Sequence, residues 1–320
     1  MPLPRFRWRS AAILVHTASH RRPPSQRSWL RFAGFTTRAP APLSELSGRY
    51  ALHQREIRRV RIVAWNCRRA SATSQLWNYF EDLSPDLALL QEVSAISAPV
   101  AARWRVAAAF PVGKAGRPQR FRTAILIRGE LAERLPLEAT QPWVHAELSR
   151  FAGNLLTYRV LPQGGTPLVA TSVYSPAWPV DRVRLTGIDT TGVQLTQSRD
   201  VWVADLLCTA LAGDPRRDSI VGGDFNLSET FDAWRGGPRG NREYLDRMAA
   251  LSMTECLRHA AGALVPTFRN PRGGQVMHQM DHLFASPDLA SRLDDCGVGS
   301  AERVFGEGLS DHLPIIADFN

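Results

Sequence analysis

The chain has 320 residues, 44% hydrophobic and 22% charged, a globular composition long enough for one large domain or two small ones. No apolar run approaches the roughly 18 residues needed to span a bilayer, and the longest near the start, residues 11–15, is short of the about 7–15 residues of a secretory core. The expectation is a cytoplasmic monomer without a membrane span. Cys67, Cys208, Cys256 and Cys296 are scattered without C-x-x-C spacing, which argues for reduced thiols in the core and against structural zinc.

The net charge of +9 suggests a nucleic-acid partner, but residues 1–44 hold eight arginines and no Asp, Glu or Lys, leaving only +1 for residues 45–320. Residues 1–56 are rich in Arg, Pro, Ser and Ala without a sustained period, and read as a basic disordered leader. An organellar transit peptide, a tether or a start assigned too far upstream would leave the same pattern. A catalytic domain is expected over residues 57–320.

In chain order, residues 61–65 read as a buried strand. Leu76, Trp77, Phe80 and Leu83 form a helix face, closed by Pro85. Strands follow over 86–90, 104–110, 123–127, 155–161 and 168–174. Val201, Ala204, Asp205, Leu207, Cys208 and Leu211 predict a helix stopped by Gly213. A strand over 219–222 runs into Gly223-Asp224-Phe225-Asn226, a helix covers 244–251, and strands over 280–285 and 313–319 close the chain. Strands interspersed with helices mean an α/β or α+β fold.

Polar residues sit at the ends of these strands: Asn66 after the first, Glu92 after the second, Tyr174 closing a middle one. Asp224 and Asn226 follow Ile220-Val221, Asp281 opens a late strand, and Ser310-Asp311-His312 precedes the last. Each alone has an ordinary explanation as a strand end, a turn or a solvated loop. Together they point to one edge of a sheet, where clefts form.

The set resembles the endonuclease/exonuclease/phosphatase superfamily, the DNase I-like group. The matching stretches are Ile62-Val63-Ala64-Trp65-Asn66, Asp86-Leu87-Ala88-Leu89-Leu90-Gln91-Glu92, Ser172-Val173-Tyr174-Ser175-Pro176, Gly222-Gly223-Asp224-Phe225-Asn226, Met280-Asp281-His282-Leu283 and Ser310-Asp311-His312-Leu313-Pro314. The resemblance implies a four-layer α/β/β/α sandwich, two packed mixed sheets flanked by helices. It implies a divalent-metal-dependent hydrolase of phosphate esters, a nuclease-like phosphodiesterase, with a phosphomonoesterase or a lipid- or inositol-phosphate phosphoesterase as the alternative. By the same resemblance, Glu92 is the main ligand of Mg²⁺ or Mn²⁺, assisted by Asn66 and Asp311. Asp224 activates water, Asn226 and Tyr174 donate to phosphate oxygens, and His312, oriented by Asp281, stabilises the transition state. Such residues suit the chemistry, because a hard cation takes oxygen ligands and hydrolysis needs charge neutralised around an in-line water.

The sequence departs from the abasic-site endonuclease branch in three places. Tyr174-Ser175-Pro176-Ala177-Trp178 has no Asn after Pro, His278-Gln279-Met280 supplies no aromatic wall, and Asn66 continues into Cys67-Arg68-Arg69. A nucleic-acid substrate would meet Arg117, Arg120 and Arg122, and Arg235, Arg239 and Arg242, as candidate phosphate contacts.

Overall fold

In the computed structural model, alternation within each apolar run sends side chains into two different cores. Residues 59–113, 116–176, 185–197, 200–213, 218–233, 239–272 and 274–320 are described. The expected leader, Ala177, Trp178 and Arg235 lie outside them.

The strands are β1 (Val60–Ala70), β2 (Leu87–Val93), β3 (Arg105–Ala109), β4 (Arg122–Ile127), β5 (Gly129–Arg134), β6 (Leu155–Pro162) and β7 (Leu168–Tyr174). They continue as β8 (Ser219–Asp224), β9 (Thr254–Glu255), β10 (Phe268–Arg269), β11 (Val276–His278), β12 (Asp281–Ala285), β13 (Leu293–Val298) and β14 (Ile315–Phe319). The helices are α1 (Leu76–Asp82), α2 (Ala98–Arg103), α3 (Pro142–Arg150), α4 (Trp202–Gly213), α5 (Glu229–Asp232), α6 (Asn241–Ala250), α7 (Cys256–Ala261) and α8 (Pro287–Ala290).

One six-stranded sheet runs β13-β14-β1-β2-β4-β3 and the other β5-β6-β7-β8-β12-β9, with β10-β11 a separate hairpin. Ile62, Ala64, Leu87 and Leu89 enter the core between the sheets and meet Leu156, Ala170, Ile220 and Leu283. The alternate residues Val63, Trp65, Ala88 and Leu90 face the other way, against Trp77 and Phe80 of α1 and Val100 of α2. On the far side, Leu155, Val173, Val221 and Phe284 are covered by Val144 of α3, Trp202 of α4 and Tyr244 of α6. The order helix, sheet, sheet, helix is the expected DNase I-like sandwich.

Each sheet is mixed, with one parallel pair at its centre: β1 with β2, and β7 with β8. Parallel neighbours need crossovers, which contain α1 in the first sheet and α4 in the second. The carboxyl ends of these four strands therefore collect at one mouth. There the antiparallel β12 begins, and the Ser310–His312 turn leads into β14.

Several boundaries differ from the sequence reading. Asn66, Glu92 and Asp224 lie within β1, β2 and β8 and not after them. Helix α6 starts at Asn241, and β14 starts at Ile315, because the Leu313 N–H is spent on Thr267 O and Pro314 has none to give. Strand β5, almost wholly exposed at the sheet edge, offers no apolar alternation to detect. All four cysteines are buried and free.

Candidate active site

Two irregularities aim the side chains at the mouth. The β1–β2 ladder is in register to Asn66↔Gln91 and resumes only at Ala70↔Val93. Three residues of β1, Cys67 to Arg69, thus oppose Glu92 alone. Bulges of this kind bend a strand and re-aim a side chain, often beside an active site. Arg68, Arg69 and Glu92 have φ of 46°, 60° and 52°, and Asn226 has 50°. Four non-glycine residues in the left-handed region are gathered at one mouth, each at a cost of roughly 1–2 kcal/mol.

On the second sheet the register is regular. Tyr174 pairs with Asp224 across β7–β8, and Asp224 with Asp281 across β8–β12. The three form a row across adjacent strands. Gly223, with φ 141°, lets the sheets close beneath that row, since a Cβ there would collide with Val173 O and the Gln91 side chain. Gln91 crosses from the first sheet, donating from Nε2 to Ser172 Oγ at 2.9 Å.

Asp224 is the hub. Its Oδ2 accepts from Asn66 Nδ2 at 2.9 Å and from Asn226 Nδ2 at 2.8 Å, and its Oδ1 accepts from Asn226 N at 2.9 Å. Burial nevertheless pushes its carboxyl up to about 7; nearby His312 acts downward, and the Asp281 and Glu92 charges act upward. Asp281 Oδ2 lies 2.8 Å from His312 Nδ1 and accepts from Thr267 Oγ1 at 2.6 Å. Burial alone would lower the His312 pKa, but the charge and hydrogen bond of Asp281, with Asp224 and Asp311, hold it up at about 10. His312 is thus cationic at neutral pH.

The turn carrying His312 is fastened on several sides. Trp65 Nε1 donates to His312 O at 2.8 Å, Ser310 Oγ donates to Asn66 O at 2.7 Å, and Arg269 N donates to Asp311 O at 2.9 Å. The Phe268 ring packs on the imidazole at 4.9 Å between centroids. Thr267 and Phe268 escape sequence reading, because β10 is two residues long and has no period.

Glu92 and Asp311 sit half-buried at the rim. Burial raises the Glu92 carboxyl, while nearby His312 and Arg69 pull it down. Arg69 Nε lies 3.7 Å from Glu92 Oε2, and Arg68 Nε 3.7 Å from Asp311 Oδ2. Tyr174 meets Phe121 edge-to-face at 5.1 Å. Burial, with the charges of Glu92 and Asp224, raises its hydroxyl well above the ordinary tyrosine value, so it stays an O–H donor. The structure thus brings all eight predicted site residues to one mouth.

Two groups there could attract a cation. Asp224, Asp281 and His312 present ligand atoms within 4.8 Å of one another. A protonated imidazole has no lone pair for a metal, and Asp281 already holds it. Glu92, Asp311 and Asn66 offer hard oxygens, and the two carboxylates already draw guanidinium cations, which fits a divalent ion. A cavity of about 720 Å³, lined among others by Gln194, Cys208, Glu243 and Arg247, shares no residue with this mouth.

The cationic side chains expected at a nucleic acid divide. Arg117 and Arg120 are exposed, and the Arg122 guanidinium lies over the Phe110 ring at 4.8 Å. Arg239 donates to Phe231 O and Asp232 O, and Arg242 pairs with Glu229 and Asp246, so both are occupied within the domain.

A family model, that of the Endonuclease/Exonuclease/phosphatase family, matches residues 63–312. The chain belongs to this family. It is an enzyme of the phosphoesterase type, in a family that is generally dependent on divalent metal. Among solved structures it is similar to an AP endonuclease from Archaeoglobus fulgidus, with 17% identity over 82% of this chain and 99% of that one, at a TM-score of 0.58. It is also similar to a 3′ phosphatase from Neisseria bound to product DNA hairpin, with 20% identity over 82% and 99%, at a TM-score of 0.58. A 3′-5′ exonuclease from Neisseria meningitidis aligns with 19% identity over 82% and 100%, at 0.56. At these identities the likeness is one of fold. None of the curated proteins compared is a significant match. Among the described residues no helix is long and apolar enough to cross a membrane.

Proposed function

We propose that the protein is a Mg²⁺- or Mn²⁺-dependent, nuclease-like hydrolase of phosphate esters on nucleic acid. The observation that carries this reading is the buried cluster of Asp224, Asp281 and His312, with ligand atoms within 4.8 Å of one another and His312 held by Asp281 at 2.8 Å. A base works best with its pKa near the working pH. A fixed cation stabilises charge as it develops on the phosphoryl oxygens.

Asp224 takes a proton from water, whose oxygen bonds to phosphorus as the ester P–O bond breaks. Asn226 keeps Asp224 in place and has a second amide hydrogen for a phosphoryl oxygen. The Tyr174 hydroxyl donates another hydrogen bond. His312 presents Nε2 to the phosphate, because Nδ1 is taken by Asp281. A divalent ion held by Glu92, Asn66 and Asp311 would neutralise negative charge on the phosphate and leaving oxygen.

The test is hydrolysis of a panel of nucleic acids, inositol phosphates and sphingomyelin before and after exhaustive chelation. Nucleic-acid hydrolysis should vanish with EDTA and return with Mg²⁺ or Mn²⁺. Full activity after chelation overturns the metal assignment, and turnover of another substrate alone overturns the nucleic-acid assignment.

A further inference from the structure

We propose that Arg68 and Arg69 form a clamp for a terminal phosphate group, directing the site to phosphomonoesters at nucleic-acid ends over internal phosphodiesters. The proposal rests on the phosphoesterase reading above.

The two arginines ride the β1 bulge, in consecutive left-handed positions where glycine would be the relaxed choice. The backbone is anchored there, since Arg68 N donates to Asn66 Oδ1 at 2.9 Å. Their side chains are 48% and 69% exposed, yet each guanidinium stops beside a rim carboxylate. At 3.7 Å these are ion pairs beyond hydrogen-bonding reach, so the N–H donors remain open to another anion. Arg68 stands on the Asp311 side. Arg69 stands over Phe121, which packs on Tyr174. The pair therefore brackets the space between the rim and the Tyr174 donor.

Charge supplies the selectivity. Counted by formal charge, the four carboxylates Asp224, Asp281, Glu92 and Asp311 face one imidazolium and two guanidiniums, a balance of minus one. A divalent ion makes the balance plus one. Without the arginines the loaded site would remain at minus one. An internal phosphodiester carries a single negative charge, whereas a terminal phosphate carries about −1.5 to −2 at pH 7 and exposes three acceptor oxygens. Guanidinium groups match such oxygens bidentately, which an ammonium cannot do. The second guanidinium thus gains most with the substrate that has a further charge and oxygen to offer.

The full chain, with Mn²⁺, is assayed on p-nitrophenyl phosphate and bis(p-nitrophenyl) phosphate, and on one oligonucleotide with and without a 3′-phosphate. R68Q/R69Q should lower kcat/KM for the monoesters by about thirtyfold, chiefly through KM, and for the diesters by only about threefold. R69K should fall between, since it keeps charge and loses the fork. Calorimetry with inorganic phosphate, with and without Mn²⁺, should show binding weakened about tenfold by R68Q/R69Q. R68G relieves the backbone and serves if the double variant misfolds, with the same direction expected on monoesters. Equal losses on both ester classes, or unchanged phosphate binding, overturn the clamp alone, provided parent turnover still depends on Asp224. If the parent turns over none of these esters, or D224N leaves its rate unchanged, the phosphoesterase reading falls and the clamp with it.

Discussion

Asp224, Asp281 and His312 are 1%, 0% and 5% exposed and held by hydrogen bonds of 2.6–2.9 Å, whereas Glu92 and Asp311 at the rim meet arginines only at 3.7 Å. The inner group is dry and bonded internally, and Asp281 Oδ1, which it leaves unpaired, is buried with it. The rim is half-wet, and its ion pairs with the arginines are loose, although Glu92 also feels Asn66 and Tyr174. Low dielectric strengthens every interaction in the first region and penalises any unpaired group there. Water screens the second, so its charges can exchange partners at little cost. Chemistry that needs fixed geometry belongs inside, and recognition that must release its product belongs at the rim.

The hardest blow to that division is aimed at the hub. D224N keeps the shape and removes the base, so kcat should fall about 10³-fold or more, roughly 4 kcal/mol in barrier, with substrate binding largely spared. A loss within tenfold, about 1.4 kcal/mol, would remove Asp224 from that role. Its raised carboxyl must be ionised to act, so the parent rate should climb through about pH 7. His312 must be cationic, so the rate should fall again as pH rises towards about 10.

A smaller effect separates Asp281 from His312. D281N removes the charge that holds the imidazolium up, so the alkaline limb should move to lower pH. H312A should cost more, and the double variant should be little worse than H312A, because Asp281 acts through the ring it touches. Additive losses in the cycle would mean that the two act independently.

The mildest test compares one residue from each region by denaturant midpoint. T267V leaves Asp281 Oδ2, Asp281 N and Met280 N without their Thr267 partner, and should cost about 1–3 kcal/mol of stability. R69Q breaks a solvent-screened pair and an exposed 5.7 Å contact with the Phe121 ring, and should change stability by less than about 1 kcal/mol. Comparable costs would erase the contrast between interior and rim.

Sequence alone was enough for the strands that carry the site, since the short apolar runs in 61–65, 86–90 and 219–222 are a local property of the chain. It was enough, too, for the residue types, because Asn66, Glu92, Asp224, Asp281 and His312 each stand at the end of an apolar run. Exposed β5 and the two-residue β10 left no such trace. Nor could spacing reveal that Arg68 and Arg69 leave the ladder, because a bulge is a mismatch between two strands and belongs to neither sequence. Thr267 stands 14 positions from Asp281, and His312 stands 31, and neither distance along the chain predicts a hydrogen bond. Those contacts exist because two parallel strand pairs end at one mouth, and only the packed sheets decide which ends coincide.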